Sequence, residues 1–275
     1  MTTRLCLCAD DFGLDAGINA AIRALAEAGR LQATGVLVGA PAWRQERDWL
    51  RTAGAYGLEV GLHLDFTEVP LTPGARQPLG RLIAQCYAGR LAVARVRAEI
   101  QAQLAAFEDG LGRPPAFVDG HQHVHQLPVI LSALLETLQQ RYPPAARPWL
   151  RRTAVRWPAA RVAGPRAAAK ATLIAALGAR GLTAAARRQG FAQNRALLGV
   201  YGFDAELARY AALLRGWLAA ARDGDLLMCH PGDGARDALA SARQAEFAAL
   251  AAPELDGWLA QAQIRLQPMR ATLMT

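Results

Sequence analysis

The sequence predicts an α/β protein whose parallel strands curl into an irregular barrel, or into one with fewer than eight strands. Three observations carry that expectation. Short apolar runs alternate with stretches of helical periodicity along most of the chain, the pattern of strands joined by helical crossovers. The residues best suited to chemistry stand at or near the ends of those runs, where parallel sheets present reactive groups. Four such places need to meet, and a barrel brings strand ends round a single axis. An open doubly wound sheet is the alternative architecture.

Each element has its own justification. Leu5 to Ala9 is a short apolar run that closes on Asp10-Asp11-Phe12-Gly13, a buried strand followed by a turn. Ala16 to Ala28 places Ile18, Ile22, Leu25 and Ala26 at helical spacing, and Gly29 stops the helix. Ala33 to Ala40 reads as a strand and Trp43 to Ala53 as a helix charged on one face. In Leu58 to Phe66, period two puts Leu58, Val60, Leu62 and Leu64 on one side. Glu59, Gly61, His63 and Asp65 fall on the other. Val69 to Gly80 is rich in proline and reads as a loop. Leu91 to Leu111 is a long helix, Ala116 to Asp119 a strand, and Val129 to Gln140 the helix after it. Asp204 to Arg222 is helical, and Asp225 to Cys229 is a strand ending at His230-Pro231. Ser241 to Leu250 and Leu255 to Gln263 are helices, with Ile264 to Leu266 a last strand. One domain over residues 1–275 is expected, with an Arg/Ala-rich insertion at about 143–195.

Composition narrows the class. The chain has 275 residues, 52% of them hydrophobic, enough to bury a sizeable core. It has no uncharged apolar window of roughly 18 residues, so no membrane span is expected. The residues before the first strand do not read as a secretion signal, so export is not expected. Cys6, Cys8, Cys86 and Cys229 are scattered and read as buried thiols, so a reducing cytoplasm is expected. The net charge is +8, and Lys170 is the only lysine. Between Arg147 and Arg195 there is no acidic residue. A solvated arginine-rich insertion explains that stretch most simply. A platform touching an anionic membrane or a phosphorylated or lipid-linked glycan is the alternative, and such contact would weaken as salt rises. Arg151 or Arg152, following Trp149-Leu150, is also a candidate to reach the site from a strand end. Nucleic-acid binding is not expected, since no recognition motif accompanies the charge.

The chemistry concentrates in Asp119-Gly120-His121-Gln122-His123-Val124-His125, which holds three of the chain's five histidines. Imidazoles this close bind a metal or move protons. If the segment stays extended, all three point one way; a turn at Gly120 leaves only one or two. One of the three is expected to bind a metal and the others to line or orient the pocket. Asp119 is placed to steady a neighbouring imidazole. Asp10 and Asp11 offer adjacent carboxylates, one for a cation and one to take a proton from water, although a helix cap would also explain them. His63 shares its face with Asp65, which could simply pair with it. His230, at a strand end before Pro231, is well placed to donate a proton.

Together, Ala9-Asp10-Asp11-Phe12-Gly13, Gly61-Leu62-His63-Leu64, Asp119-Gly120-His121-Gln122-His123-Val124-His125 and Cys229-His230-Pro231 resemble the four signatures of the YdjC-like carbohydrate deacetylases. That group includes chitooligosaccharide and hopanoid-associated deacetylases. Arg243-Gln244-Ala245-Glu246-Phe247 also resembles the family's C-terminal Arg-Glu helix. The resemblance runs from residue 4 to about 140 and from about 200 to 266; nothing transfers to Pro143–Asn194. It implies a TIM-barrel-like α/β fold, a divalent metal, and hydrolysis of the N-acetyl group of an amino sugar. By position, Asp11, His63 and His121 match the metal ligands, Asp10 the general base and His230 the general acid. Asp119, His123, His125 and Arg152 remain candidates to touch substrate or support the ligands. Mg²⁺ is implied by the resemblance, whereas one Asp and two His suit Zn²⁺ or another transition metal. A metal-dependent phosphoesterase and a non-catalytic glycan-binding barrel are the rival functions. The first is disfavoured because few carboxylates are available to hold two ions.

Overall fold

The computed structural model describes residues 2–274. Its centre is one parallel sheet of eight strands. These are β1 (Thr3–Phe12), β2 (Ala33–Val36), β3 (Glu59–Leu64), β4 (Phe117–Gly120), β5 (Trp149–Leu150), β6 (Leu197–Leu198), β7 (Asp225–Cys229) and β8 (Ile264–Leu266). The spatial order is β5-β4-β3-β2-β1-β7-β6, and β8 pairs with the first residues of β1. The two ends of the sheet approach each other. Leu150 bridges to Gln193, and the Leu197 N–H donates to the Ala154 carbonyl. The sheet is therefore curled and TIM-barrel-like, as expected, with helices packed outside it.

Strand parity sorts the side chains. On β1, Leu5, Leu7 and Ala9 face the helices and join the large outer core. Cys6 and Cys8 alternate with them and join a second, inner cluster with Ala33, Phe117, Trp149, Leu197, Leu226 and Met228. Both clusters are close-packed, and the inner one leaves little room. A Cβ on Gly61 would lie 2.4 Å from the Phe117 ring, so only glycine fits there. Asp10, His63, Asp119 and Arg151 continue the inward series at the carboxyl ends of their strands.

Several elements differ from expectation for local reasons. The second strand ends at Val36, not Ala40. The proline-rich loop stops at Pro78, and Leu79–Tyr87 is a helix that the proline and glycine content obscured. β5 and β6 have two residues each, too short for any periodicity to reveal. The basic stretch is woven into the barrel: it supplies β5 and the helices Trp157–Ala160, Pro165–Ala176 and Ala179–Arg188. Several of its arginines serve the chain itself. Arg147 donates to the Gln189 carbonyl and covers the Phe191 ring, and Arg156 pairs with the buried Asp225. All four cysteines are buried and unpaired. Among the described residues, no helix is long and apolar enough to cross a membrane.

Candidate functional site

The site begins with an irregularity in β1. The pairing with β2 shifts between Ala9 and Phe12, and Asp11 adopts a left-handed backbone with φ of 70°. A bulge at a strand end re-aims its side chain. Asp10 consequently points into the barrel while Asp11 turns toward β3 and the histidine segment. Neither is the cap of the following helix; Asp15 takes that place, accepting from the Gly17 N–H at 2.7 Å.

Asp11, His63 and His121 come together although far apart in sequence. Asp11 Oδ1 lies 3.1 Å from His121 Nδ1 and 3.6 Å from His63 Nε2. One donor atom from each residue falls within 4.8 Å of the other two. His63 is fixed from behind, where its Nδ1 donates to Asp119 Oδ1 at 2.7 Å, turning Nε2 toward Asp11. Asp65 does not pair with His63. It anchors the next loop, accepting from the N–H groups of Thr67, Glu68 and Val69. Gly35 on β2 makes room for the His63 ring, which a Cβ there would approach to 3.1 Å. After Gly120 the chain turns instead of staying extended, so the three histidines of the cluster diverge. His121 meets Asp11. His123 borders the cleft. His125 is fully buried and engages the Arg151 carbonyl through Nε2 at 2.8 Å.

Asp10 is held by Arg151. The two guanidinium nitrogens reach both carboxylate oxygens, at 2.6 and 2.5 Å. The same arginine lies 2.6 Å from Asp119 Oδ2 and donates to Cys8 Sγ at 3.0 Å. Asp10, His63 and Asp119 form a second grouping with metal-binding spacing, but its carboxylates are already spent on Arg151. The residues Asp11, His63 and His121 all border the cleft, which Asp119 does not. Arg152, the candidate named alongside Arg151, lies outside this network and donates to the Arg195 carbonyl. Parity explains this: Trp149 faces inward on β5, so Arg151 does too and Arg152 does not.

Burial and charge set the protonation states. Burial opposes ionisation of Asp10, but Arg151, with His63 and His230, outweighs it and brings the carboxyl down to about 2. Burial likewise opposes the Asp11 charge, yet His121 and Arg243 hold its carboxyl well below the usual range. Burial works to lower His63, but Asp119, Asp10 and Asp11 together push it up to about 9. Three carboxylates thus create a position that attracts positive charge. The one-Asp, two-His donor set and the outer support from Asp119 suit a divalent ion.

The far wall is built from β7 and a later helix. The His230 backbone N–H donates to Glu246 at 2.6 Å, and its Nε2 lies 3.9 Å from Asp10 Oδ2. Burial lowers the His230 pKa, so the ring is neutral near pH 7. Glu246 is itself fully buried and accepts from the Tyr201 and Tyr210 hydroxyls. Arg243 bonds Asp11 Oδ2 at 2.7 Å and Asp237 at 2.8 Å. Arg243 and Glu246 share a helix face by their spacing, which is the sequence signal for their joint role. Asp10, Asp11, His63, His121, His123, His230 and Arg243 all border one cleft of about 840 Å³. Lys170 and Ile174, from the basic stretch, complete its rim.

Two outcomes follow. Replacing Arg151 by Met strands two buried carboxylates and should cost about 3–5 kcal/mol in urea unfolding, against about 0.5 kcal/mol or less for Arg152→Met. Equal losses would contradict the geometry. His63 also links stability to pH. Its folded pKa is raised from 6.5 to about 9, so its contribution is complete below pH 6.5 and is lost as pH rises through 9. The metal-free protein should lose up to about 3 kcal/mol across that window, and His63→Gln should flatten the slope. A stability profile that is flat in the parent protein would show the assignment to be wrong.

Comparison with known proteins places this geometry in context. A carbohydrate deacetylase of Mus musculus is 33% identical over 153 residues, covering 50% of this chain and 47% of the relative. A chitooligosaccharide deacetylase of Escherichia fergusonii is 37% identical over 128 residues, covering 44% and 50% respectively. The chain thus matches about half the length of these curated relatives. Among solved structures, a protein of Enterococcus faecalis V583, provisionally named for cellobiose-phosphate cleavage, superposes over the whole of both chains with TM-score 0.71 at 17% identity. A family 4 acetyl xylan esterase of Clostridium thermocellum in complex with a cobalt ion gives TM-score 0.51 at 11% identity, covering 99% and 91%. These structural likenesses establish the fold. The model of the YdjC-like protein family matches residues 4–261, and the chain belongs to that family.

Proposed function

We propose that this protein is a metal-dependent hydrolase that removes the acetyl group from an N-acetylated amino sugar. The observation that carries the reading is the meeting of Asp11, His63 and His121 on the rim of one cleft with Asp10 and His230. The names of the matched relatives support the substrate class. In this reading Asp11, His63 and His121 hold the ion, with Mg²⁺, Zn²⁺ or another transition metal as candidates. When bound, the ion supplies Lewis acidity, polarising the acetyl carbonyl and making a water more acidic.

The remaining work falls to the chain's own residues. Asp10, kept ionised by Arg151, accepts the proton of the attacking water. A carboxylate with a pKa of about 2 is a weak base, so it passes that proton on readily. His230 Nε2 is its nearest relay, and Glu246 near Nδ1 favours the protonated ring. His230 then protonates the departing sugar amine. Asp119 keeps His63 in the tautomer that presents Nε2, and Arg243 orients Asp11 from the opposite side.

The test is acetate release from N-acetylglucosamine oligomers by protein loaded with each candidate ion, run beside phosphate release from nitrophenyl phosphate. Acetate release that stops on chelation is expected. Asp10→Asn and His230→Ala should each lower kcat by about 100-fold or more while bound metal stays constant. Phosphate release without acetate release would favour a phosphoesterase, and loss of neither activity in both variants would remove the proposed roles.

A further inference from the structure

Backbone strain in this molecule collects at the cleft. Five non-glycine residues among those described have positive φ, and four of them, Asp11, Gln122, His123 and Phe203, border it. Such conformations persist where surrounding contacts impose them, and they concentrate at working sites. For two of the four the result is visible. Asp11 reaches His63 and His121, and the Phe203 ring packs edge-on against His230 with Lys170 over it. Gln122 (φ 52°, ψ 24°) and His123 (φ 61°, ψ 26°) form a left-handed pair with no such return inside the protein.

The turn itself is enforced by its flanks. His121 is drawn to Asp11 on one side. On the other, Val124 is fully buried, His125 engages the Arg151 carbonyl, and Gln126 donates to the Ile174 carbonyl at 2.8 Å. Glycine would make the same turn without strain. The sequence instead has a histidine, and its imidazole makes no hydrogen bond, ion pair or ring contact with any described residue. Its Nδ1 is closed off from solvent without a partner, which is costly for a polar atom. His123 also stands outside the Asp11, His63 and His121 donor group. The strained backbone holds this unpaired imidazole on the cleft wall, and Nε2, which is not closed off and has no partner among the described residues, is the ring nitrogen that a bound molecule can reach.

We infer that His123 is a substrate-contacting residue whose imidazole hydrogen-bonds a hydroxyl or the acetamido group of the bound sugar. This rests on the proposed sugar substrate and adds a binding contact to the reaction described above. A contact of this kind positions the sugar, and its loss appears chiefly in binding.

The experiment compares the parent protein with His123→Gly and His123→Asn. Asparagine tolerates the left-handed backbone and keeps a donor and an acceptor near the ring position. Measured for each are the melting temperature, the bound metal per chain, the Kd of the metal-free protein for the N-acetylglucosamine dimer by calorimetry, and kcat and KM. His123→Gly should melt no lower than the parent and bind the same amount of metal. Its Kd should be weaker by about 10-fold, with KM rising more than kcat falls. His123→Asn should recover much of that loss. Parent-like sugar affinity in His123→Gly would overturn the inference, as would a lowered melting temperature or lost metal, which would mark a structural or ligand role. A parent protein that neither binds the dimer nor releases acetate would instead sink the sugar reading on which the contact depends.

Discussion

The structure is governed by a charge imbalance at the mouth of the barrel. Asp10, Asp11, Asp119 and Glu246 are all buried there, and among the described residues two buried guanidiniums, Arg151 and Arg243, face them. Four formal negative charges against two positive ones is a costly arrangement in a medium of low dielectric. Hydrogen bonds relieve Glu246, which accepts from two tyrosines and the His230 N–H. Asp11 is relieved less fully, by Arg243 at Oδ2 and by the imidazoles of His121 and His63 at Oδ1. In the metal-free protein a proton on His63 fills part of the deficit. A divalent ion at the same place would match it, which supports the proposed metal site.

The fold delivers that imbalance through strand parity. Alternation sends Cys6, Cys8 and Asp10 inward from β1, His63 from β3 and Asp119 from β4, with Arg151 continuing the series beyond β5. Small residues below them, such as Gly35 and Gly61, let the His63 and Phe117 rings occupy the interior. The site is therefore the topmost layer of the inner core, where packing gives way to ionic pairing. The bulge at Asp11 is the one break in the pattern, and it separates the two carboxylates so that one meets Arg151 and the other the imidazoles. The residues that balance charge here also carry the proposed chemistry, so substitutions among them are expected to perturb both.

Much of this was legible in the sequence because it rests on period and position. The alternation of apolar runs and helices pointed to the parallel, barrel-like sheet, and β7 (Asp225–Cys229) and β8 (Ile264–Leu266) have the bounds expected of them. Asp10, Asp11, His63, Asp119, His121 and His230 were all visible as polar residues interrupting or closing apolar runs. Arg151 was obscured by its neighbour, since a two-residue strand leaves no periodicity to choose between Arg151 and Arg152. That Asp119 steadies an imidazole was legible, but not that the imidazole is that of His63. Asp65 is closer in sequence and shares its face, and only the pairing of β3 with β4 sets His63 beside Asp119. The basic stretch misled through composition: it lacks acidic residues of its own, yet Arg151 and Arg156 find theirs across the barrel in Asp10 and Asp225.

The proposed site depends on a cation bound by residues from three separate strand ends. Crystals grown with Co²⁺ or Zn²⁺ and measured at the absorption edge of the metal would locate it directly. The result predicted is a single anomalous peak within bonding reach of Asp11, His63 and His121, leaving the Asp10–Arg151 pair intact. A peak seated between Asp10 and Asp119 with Arg151 displaced, or no peak in the cleft at saturating metal, would contradict it.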